Sequence, residues 1–397
     1  MKKNYERNYD TDTEILYRGT EVSGIAENPE TLPIYHSTAY CVKDTDDYTF
    51  ANNGGKYFYN RTANPNRDCL GEAISYLENG EKTIICSSGM AAISTALLGL
   101  LKKGDHAVIS KAIYGETIEL IENMLSKYGI EITFADFTNE EEVEKAVKPN
   151  TVLFYTEIIA NPLTLVVDIE KIASIAKKHK ILTVVDSTFT TPFVIKPLDF
   201  GADIVIHSLT KYFGGHSDIT GGSITSNESI VKRLMPSYLL LGCCMDPNTA
   251  WLTSRSIKTM AMRVRLQNSN AVKLAHALSL NPKIKTVFHP SIETHPQHEI
   301  AKRMFSDGFY GAMMSFRVED DIKKVNEFMH RLKIVKYMGT LGGIRTTIAH
   351  PATAFRNEFS DEELKSMGMY EGLIRISTGA ENADDLINDF NQALEVF

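Results

Sequence analysis

Short apolar runs alternate along the middle of the chain with stretches of helical spacing. The runs are Thr83–Cys86, His106–Ser110, Glu131–Phe134, Val152–Tyr155, Leu182–Val185 and Ile204–Ile206. They are rich in β-branched and aliphatic residues, which predicts strands. Between them, helices are predicted over Arg67–Glu78, from Ser87-Ser88-Gly89 to Leu101, and over Glu116–Tyr128, Glu140–Val147 and Ile169–His179. Ile118, Leu120, Ile121 and Leu125, for example, share one helical face. Strand and helix in alternation predict an α/β fold, with a mostly parallel sheet covered by helices on both faces. Ligands of such sheets sit beyond the carboxyl ends of the strands.

The flanks read differently. Residues 1–60 have poor apolar periodicity and turns such as Leu32-Pro33 and Asn52-Asn53-Gly54-Gly55. They are expected to form an irregular arm that packs on something, often a partner subunit. Asn248–Leu280 predicts one long helix or two. Strands near Gly311–Val318, Ile334–Tyr337 and Leu373–Ser377 then mix with helices at Asp321–Leu332, Asp361–Met367 and Asp384–Phe397. That pattern predicts a smaller α+β C-terminal domain. The expected division is an arm (1–60), a larger α/β domain (61–260) and the C-terminal domain (261–397).

Composition narrows the function. The 397 residues are 43% hydrophobic and 23% charged, as in an ordinary globular protein. A net charge of −8 and a pI of about 5.8 argue against a nucleic-acid partner. No run of about 18 apolar residues predicts a membrane span. The polar start, Met1 to Glu14, does not read as a secretory signal. Cys41, Cys69, Cys86, Cys243 and Cys244 are odd in number and irregular in spacing. They read as reduced, mostly buried thiols rather than a disulfide framework or a metal site, and so imply the cytoplasm.

Candidate chemistry gathers at the predicted strand ends. Ile204-Val205-Ile206 runs into Ser208-Leu209-Thr210-Lys211, and glycines follow at Gly214-Gly215 and Gly221-Gly222. Ile181–Val185 ends on Asp186. A lysine and an aspartate at neighbouring strand ends suggest pyridoxal phosphate: the lysine forms the Schiff base and the acid pairs with the pyridinium nitrogen. Ser88-Gly89-Met90 opens a helix, whose free amides can bind a phosphate with help from the Ser208 and Thr210 hydroxyls. Tyr114 follows the strand at 106–110, where it could stack on a cofactor ring and move a proton. Arg375, in Leu373–Ser377, could grip an amino-acid carboxylate.

Together these motifs resemble the Cys/Met-metabolism family of pyridoxal-phosphate enzymes. The resemblance rests on Ser208-Leu209-Thr210-Lys211-Tyr212 with Gly214-Gly215-His216-Ser217-Asp218, and on Tyr59-Asn60-Arg61 with Asn64-Pro65. It also rests on Ser88-Gly89-Met90-Ala91, Tyr114-Gly115, Asn161-Pro162, Asp186-Ser187-Thr188-Phe189 and Arg375-Ile376-Ser377-Thr378-Gly379. It runs from about Pro33 to the C-terminus and implies a fold-type I, transferase-like architecture. By that resemblance Lys211, Tyr114 and Asp186 are catalytic, and Thr188 assists Asp186. Ser88, Gly89, Met90, Ser208 and Thr210 bind the phosphate. Asn161 contacts the ring hydroxyl. Tyr59 and Arg61 reach the phosphate in the neighbouring subunit of a homotetramer. Arg375 takes the substrate carboxylate, with Thr340 beside it.

The implied reaction is elimination on a sulfur amino acid such as methionine, homocysteine or cystathionine, giving a 2-oxo acid, ammonia and a thiol. The alternative is γ-replacement on an activated homoserine. A non-catalytic cofactor-binding regulator would be expected to lack the lysine or carry an added basic module, and neither feature is seen. The chain departs from the family pattern on the substrate side. Gly342-Gly343-Ile344-Arg345-Thr346 stands where a Gly-Gly-x-Glu-Ser turn is common, and Leu240-Leu241 where methionine γ-lyases tend to carry Lys-Asp. Glu157-Ile158-Ile159-Ala160-Asn161-Pro162 replaces the usual Glu-(Thr/Ser)-Pro-x-Asn-Pro. Glu116 replaces a cysteine and is expected to read the charge of the substrate's distal end.

Overall fold

A computed structural model describes residues 9–19, 29–356 and 360–397. The strands of the first sheet are β1 (Lys82–Cys86), β2 (His106–Ser110), β3 (Glu131–Ala135), β4 (Thr151–Glu157), β5 (Leu182–Asp186), β6 (Ile204–Ser208) and β7 (Gly222–Ser226). Their order is β1-β7-β6-β5-β4-β2-β3, and only β7 runs against the rest. Every residue of β2 and β7 is buried, as central strands between two helical layers must be.

One face packs on the helices Gly89–Leu100, Gly115–Asn123 and Glu228–Leu241, around Ile93, Leu97, Ile109, Tyr155 and Ile206. The other packs on Ile169–His179 and His298–Met304, around Val108, Phe154, Ile172 and Val185. Asn64 caps Pro65–Leu77, which also opens on a proline, and Asp168 caps Ile169–His179.

The second sheet comprises β8 (Thr286–Phe288), β9 (Met313–Arg317), β10 (Lys336–Tyr337), β11 (Thr347–Ala349) and β12 (Leu373–Ser377), in the order β10-β11-β12-β9-β8. It packs on Met260–Ser279, Ile322–Arg331 and Ala383–Leu394. At its centre the Phe316, Phe328 and Phe390 rings meet at 6.0–6.1 Å. Among the described residues no helix is long and apolar enough to cross a membrane.

Three readings need correcting. The N-terminal arm is not wholly irregular, because helices form at Thr11–Tyr17 and Thr45–Asn52, capped by Asp10 and Asp44. Residues 1–8, at the start of the arm, lie outside the described residues. The helix expected over Glu116–Tyr128 ends at Asn123, and a 3-10 turn, Leu125–Tyr128, closes on Gly129 at φ 70°. Of the one or two helices expected over Asn248–Leu280, two form, Pro247–Ile257 and Met260–Ser279. Finally β7, β8, β11 and the helix Glu228–Leu241 were not foreseen.

Candidate active site

The carboxyl ends of β4, β5 and β6 carry Glu157, Asp186 and Ser208. Register places Glu157 opposite Asp186, and Asp186 opposite Ile206. The turn after β6 delivers Lys211, whose carbonyl takes the Gly215 amide at 2.7 Å. Gly342 lies against this turn: a Cβ there would come within 2.8 Å of the Tyr212 amide and 3.1 Å of Lys211 Cβ. Its own φ is +74°, so the close approach and the backbone both call for glycine. The segment is fastened when the Gly342 amide donates to Ser377 Oγ at 2.8 Å. The second sheet thereby presses on the lysine turn of the first. Burial, and next the charge of Arg375, pull the Lys211 amine below its ordinary pKa, while Glu116 opposes them.

Beside Lys211 the start of the helix Gly89–Leu100 forms a cradle. Ser88 Oγ accepts the Ala91 amide at 3.0 Å, an N-cap that leaves the first amides of the helix outside its ladder. A Cβ on Gly89 would stand 2.9 Å from Ser208 Cβ and 3.0 Å from its Oγ. The missing side chain is what lets the Ser208 hydroxyl approach the helix end. Thr210 Oγ1 accepts the Gly221 amide at 3.0 Å, which ties the second hydroxyl to the same turn. Amides at a helix N-terminus together with two hydroxyls could hold a phosphate.

Asp186 is buried, and its Oδ1 accepts the Thr188 amide at 2.9 Å. Thr188 Oγ1 in turn accepts the Ser208 amide at 2.8 Å, linking the aspartate to the cradle. Burial raises the Asp186 carboxyl above its usual range, and the Thr188 hydrogen bonds oppose the rise. A buried carboxylate facing a ring cation fits this placement. The donor set suits a phosphate at one end and a protonated heteroaromatic nitrogen at the other.

Tyr114 precedes the helix Gly115–Asn123 with 42% of its surface exposed, and its amide donates to Glu157 Oε1 at 2.7 Å. Burial raises its phenol, and the hydrogen bond to the Glu116 carboxylate adds to that. Glu116 thus turns toward Tyr114 and influences Lys211, although it lies on an exposed helix start. Arg375 reaches across from β12, and its Nη1 donates to Asn161 Oδ1 at 3.1 Å. Thr340 is half-buried in the segment before Gly342. Arg345 is exposed on the same segment.

Tyr59 and Arg61 stand apart. Both are exposed, the Arg61 guanidinium lies 5.6 Å over the Tyr59 ring, and Arg61 Nη1 donates to the Leu239 carbonyl at 3.1 Å. Neither is hydrogen-bonded to the cradle. A cavity of about 1,090 Å³ touches the site at Gly115 and Asn161 and extends past Glu119, Glu122, Phe355 and Met369. It is lined by neither Lys211 nor the cradle. Sequence reading missed Glu157 as a member of the site. It closes β4 as Asp186 closes β5, but the strand predicted there stops at Tyr155.

Comparison with known proteins matches residues 12–395 to the Cys/Met metabolism PLP-dependent enzyme model. The chain is 38% identical over 369 residues to L-methionine gamma-lyase of Fusobacterium nucleatum subsp. polymorphum, covering 92% of this chain and 93% of that protein. It is 40% identical over 365 residues to cystathionine gamma-lyase of Bacillus subtilis (strain 168), covering 92% and 94%. Among solved structures, one assigned as O-acetylhomoserine (thiol)-lyase from Campylobacter jejuni superposes with a TM-score of 0.91 at 31% identity, covering 98% of this chain and 100% of that one. That structure holds N'-pyridoxyl-lysine-5'-monophosphate in place of a lysine.

Proposed function

The chain belongs to the Cys/Met metabolism PLP-dependent enzymes, and from that premise we propose that it is a carbon–sulfur lyase that eliminates a thiol from a sulfur amino acid. The observation that carries the reading is one convergence. Arg375 lies within electrostatic reach of both Lys211 and Tyr114, while Asn161 holds its guanidinium and the Gly342 turn packs on Lys211. The names of the two lyase relatives support sulfur as the leaving atom.

Lys211 would hold the cofactor. The amides of Gly89 and Met90, with the hydroxyls of Ser88, Ser208 and Thr210, would bind its phosphate. Asp186, backed by Thr188, would face its ring nitrogen, Asn161 its ring hydroxyl and Tyr114 its ring face. When bound, pyridoxal phosphate supplies an electron sink for a carbanion at the substrate Cα.

The protein's own groups do the rest. Arg375 grips the substrate carboxylate and so fixes which Cα bond is presented. Burial and the Arg375 charge lower the basicity of Lys211 and so raise the share of its amine that is neutral, the form that would take the Cα proton and return protons along the chain. The Tyr114 phenol, held protonated, donates toward the departing sulfur. The products are a 2-oxo acid, ammonia and a thiol. γ-Replacement is the second reading, favoured by the likeness to the O-acetylhomoserine (thiol)-lyase structure.

The working form we propose is a cytoplasmic homotetramer of catalytic dimers, with Tyr59 and Arg61 completing the partner's site. Within each chain the arm, the cofactor domain and the C-terminal domain divide near residues 60 and 260. The deciding experiment is a substrate panel of methionine, homocysteine, cystathionine, cysteine and O-acetylhomoserine, assayed for 2-oxo acid, ammonia and thiol with and without an added thiol. Release of 2-oxo acid from a sulfur amino acid is expected. Thiol-dependent consumption of O-acetylhomoserine with no 2-oxo acid from any substrate would refute elimination.

A further inference from the structure

Glu157 closes β4 beside Asp186 and has no role in the chemistry above. The two residues are paired in register on parallel strands, so their carboxyls leave the same face of the sheet side by side. Both are buried. The influences on Glu157 are burial, the Asp186 charge and the Tyr114 amide, with no cation among them. Two adjacent buried carboxylates repel, and each resists ionising while the other is charged.

Their hydrogen bonds differ. Asp186 takes the Thr188 amide at 2.9 Å and a bond from the Thr188 hydroxyl. That hydroxyl accepts from the Ser208 amide, which leaves its own proton for Asp186. Glu157 takes a single donor, the Tyr114 amide at 2.7 Å. Donors stabilise the ionised form, so the charge settles on Asp186. Burial, and then the Asp186 charge, push Glu157 well above the usual carboxylate range. The neighbouring Tyr155 phenol is itself raised by burial and by the nearby carboxyls, so it stays neutral and brings no compensating positive charge.

We propose that Glu157 is a neutral carboxylic acid in the resting protein, a positioning residue that anchors the Tyr114 turn and leaves Asp186 the only anion of the pair. The roles of Tyr114 and Asp186 in this inference rest on the functional reading above. A neutral acid keeps a carbonyl acceptor for the Tyr114 amide without placing a second negative charge beside Asp186. Glutamine preserves both properties. Alanine removes the acceptor and leaves the Tyr114 amide unpaired at the start of its helix.

The test reads the proton directly. An infrared difference spectrum of wild type minus E157Q, at neutral pH and without substrate, should show a protonated-carboxyl C=O band that the variant lacks. Alongside it, E157A should lower kcat at least about tenfold with a smaller change in KM, and E157Q should recover kcat to within about threefold of wild type. Absence of the band, or an E157Q as impaired as E157A, overturns the proposal. If the band is present and no sulfur amino acid is cleaved, the functional reading falls while the neutral Glu157 stands.

Discussion

Adding one methyl group at Gly89 tests the proposed phosphate cradle without removing any hydrogen-bonding group. The new Cβ of G89A would sit 2.9 Å from Ser208 Cβ and 3.0 Å from its Oγ, closer than carbon and oxygen tolerate. The Gly89 backbone is ordinary for an L residue, so the substitution introduces no dihedral strain, and alanine at a helix start costs little or nothing. Relief must come from a small shift of the Ser208 backbone with its Cβ, which carries the hydroxyl away from the helix end. Losing one hydrogen bond to a charged group costs about 1.5–3 kcal/mol. Cofactor affinity should therefore fall roughly tenfold to a hundredfold. The assay is titration of the apoprotein with pyridoxal phosphate, followed by protein fluorescence and visible absorbance. Thermal unfolding of the apoprotein serves as the control and should move by only a few degrees. G222A is the contrast, since its Cβ would meet the Ser88 carbonyl oxygen at 2.1 Å. That overlap with a backbone oxygen is far deeper than the one at Gly89, so this variant should lose stability even without cofactor. A G89A protein that binds cofactor within about twofold of wild type would refute the cradle.

Three further outcomes follow. The purified protein should be yellow, and borohydride should fix the cofactor to the peptide containing Lys211; label on another lysine would displace that residue from its role. Mixing inactive Lys211→Ala and Arg61→Ala chains should restore part of the activity through hybrid dimers, whereas subunit exchange with no recovery would place Arg61 within its own site. Glu116→Gln should change the ratio of kcat/KM for methionine to that for cystathionine by more than about tenfold, or roughly 1.4 kcal/mol; an unchanged ratio would reduce Glu116 to a favourable charge at a helix start.

The order of strands and helices was legible where apolar runs were clean. His106–Ser110, Ile169–His179 and Leu373–Ser377 form over the residues that the pattern names. β7 was hidden by its composition. Gly222-Ser223-Ile224-Thr225-Ser226 has one aliphatic residue, yet all five are buried. Small residues are required there because Ser88 and Ala92 crowd Gly222. The helix Glu228–Leu241 was masked by Pro236, which its interior accommodates. In the arm, Thr11–Tyr17 is too short to show periodicity, and it is held by Ile15 packing in a core with Leu70, Ala73 and Ile74. The cradle was readable because it is local: a strand end, a serine, a glycine and a helix start follow one another in the chain. Glu157 was not, since its meaning comes from register with a neighbouring strand, and register is absent from any single stretch.

The substrate end obeys a different logic, visible in the pairing of Arg375 with Asn161. These residues are 214 positions apart, and their contact exists only because the second sheet is pressed onto the edge of the first. The identity of the acceptor matters. An aspartate at 161 would neutralise the guanidinium and compete with an incoming carboxylate. The asparagine amide oxygen orients Arg375 through one hydrogen bond and leaves its full charge uncompensated. That charge acts twice. In the proposed reaction it would attract the substrate carboxylate, and across the site it helps hold the Lys211 amine below its ordinary basicity. Binding a substrate carboxylate would screen Arg375 and so raise the proton affinity of Lys211. The amine would then become a stronger base once a substrate is in place to receive it.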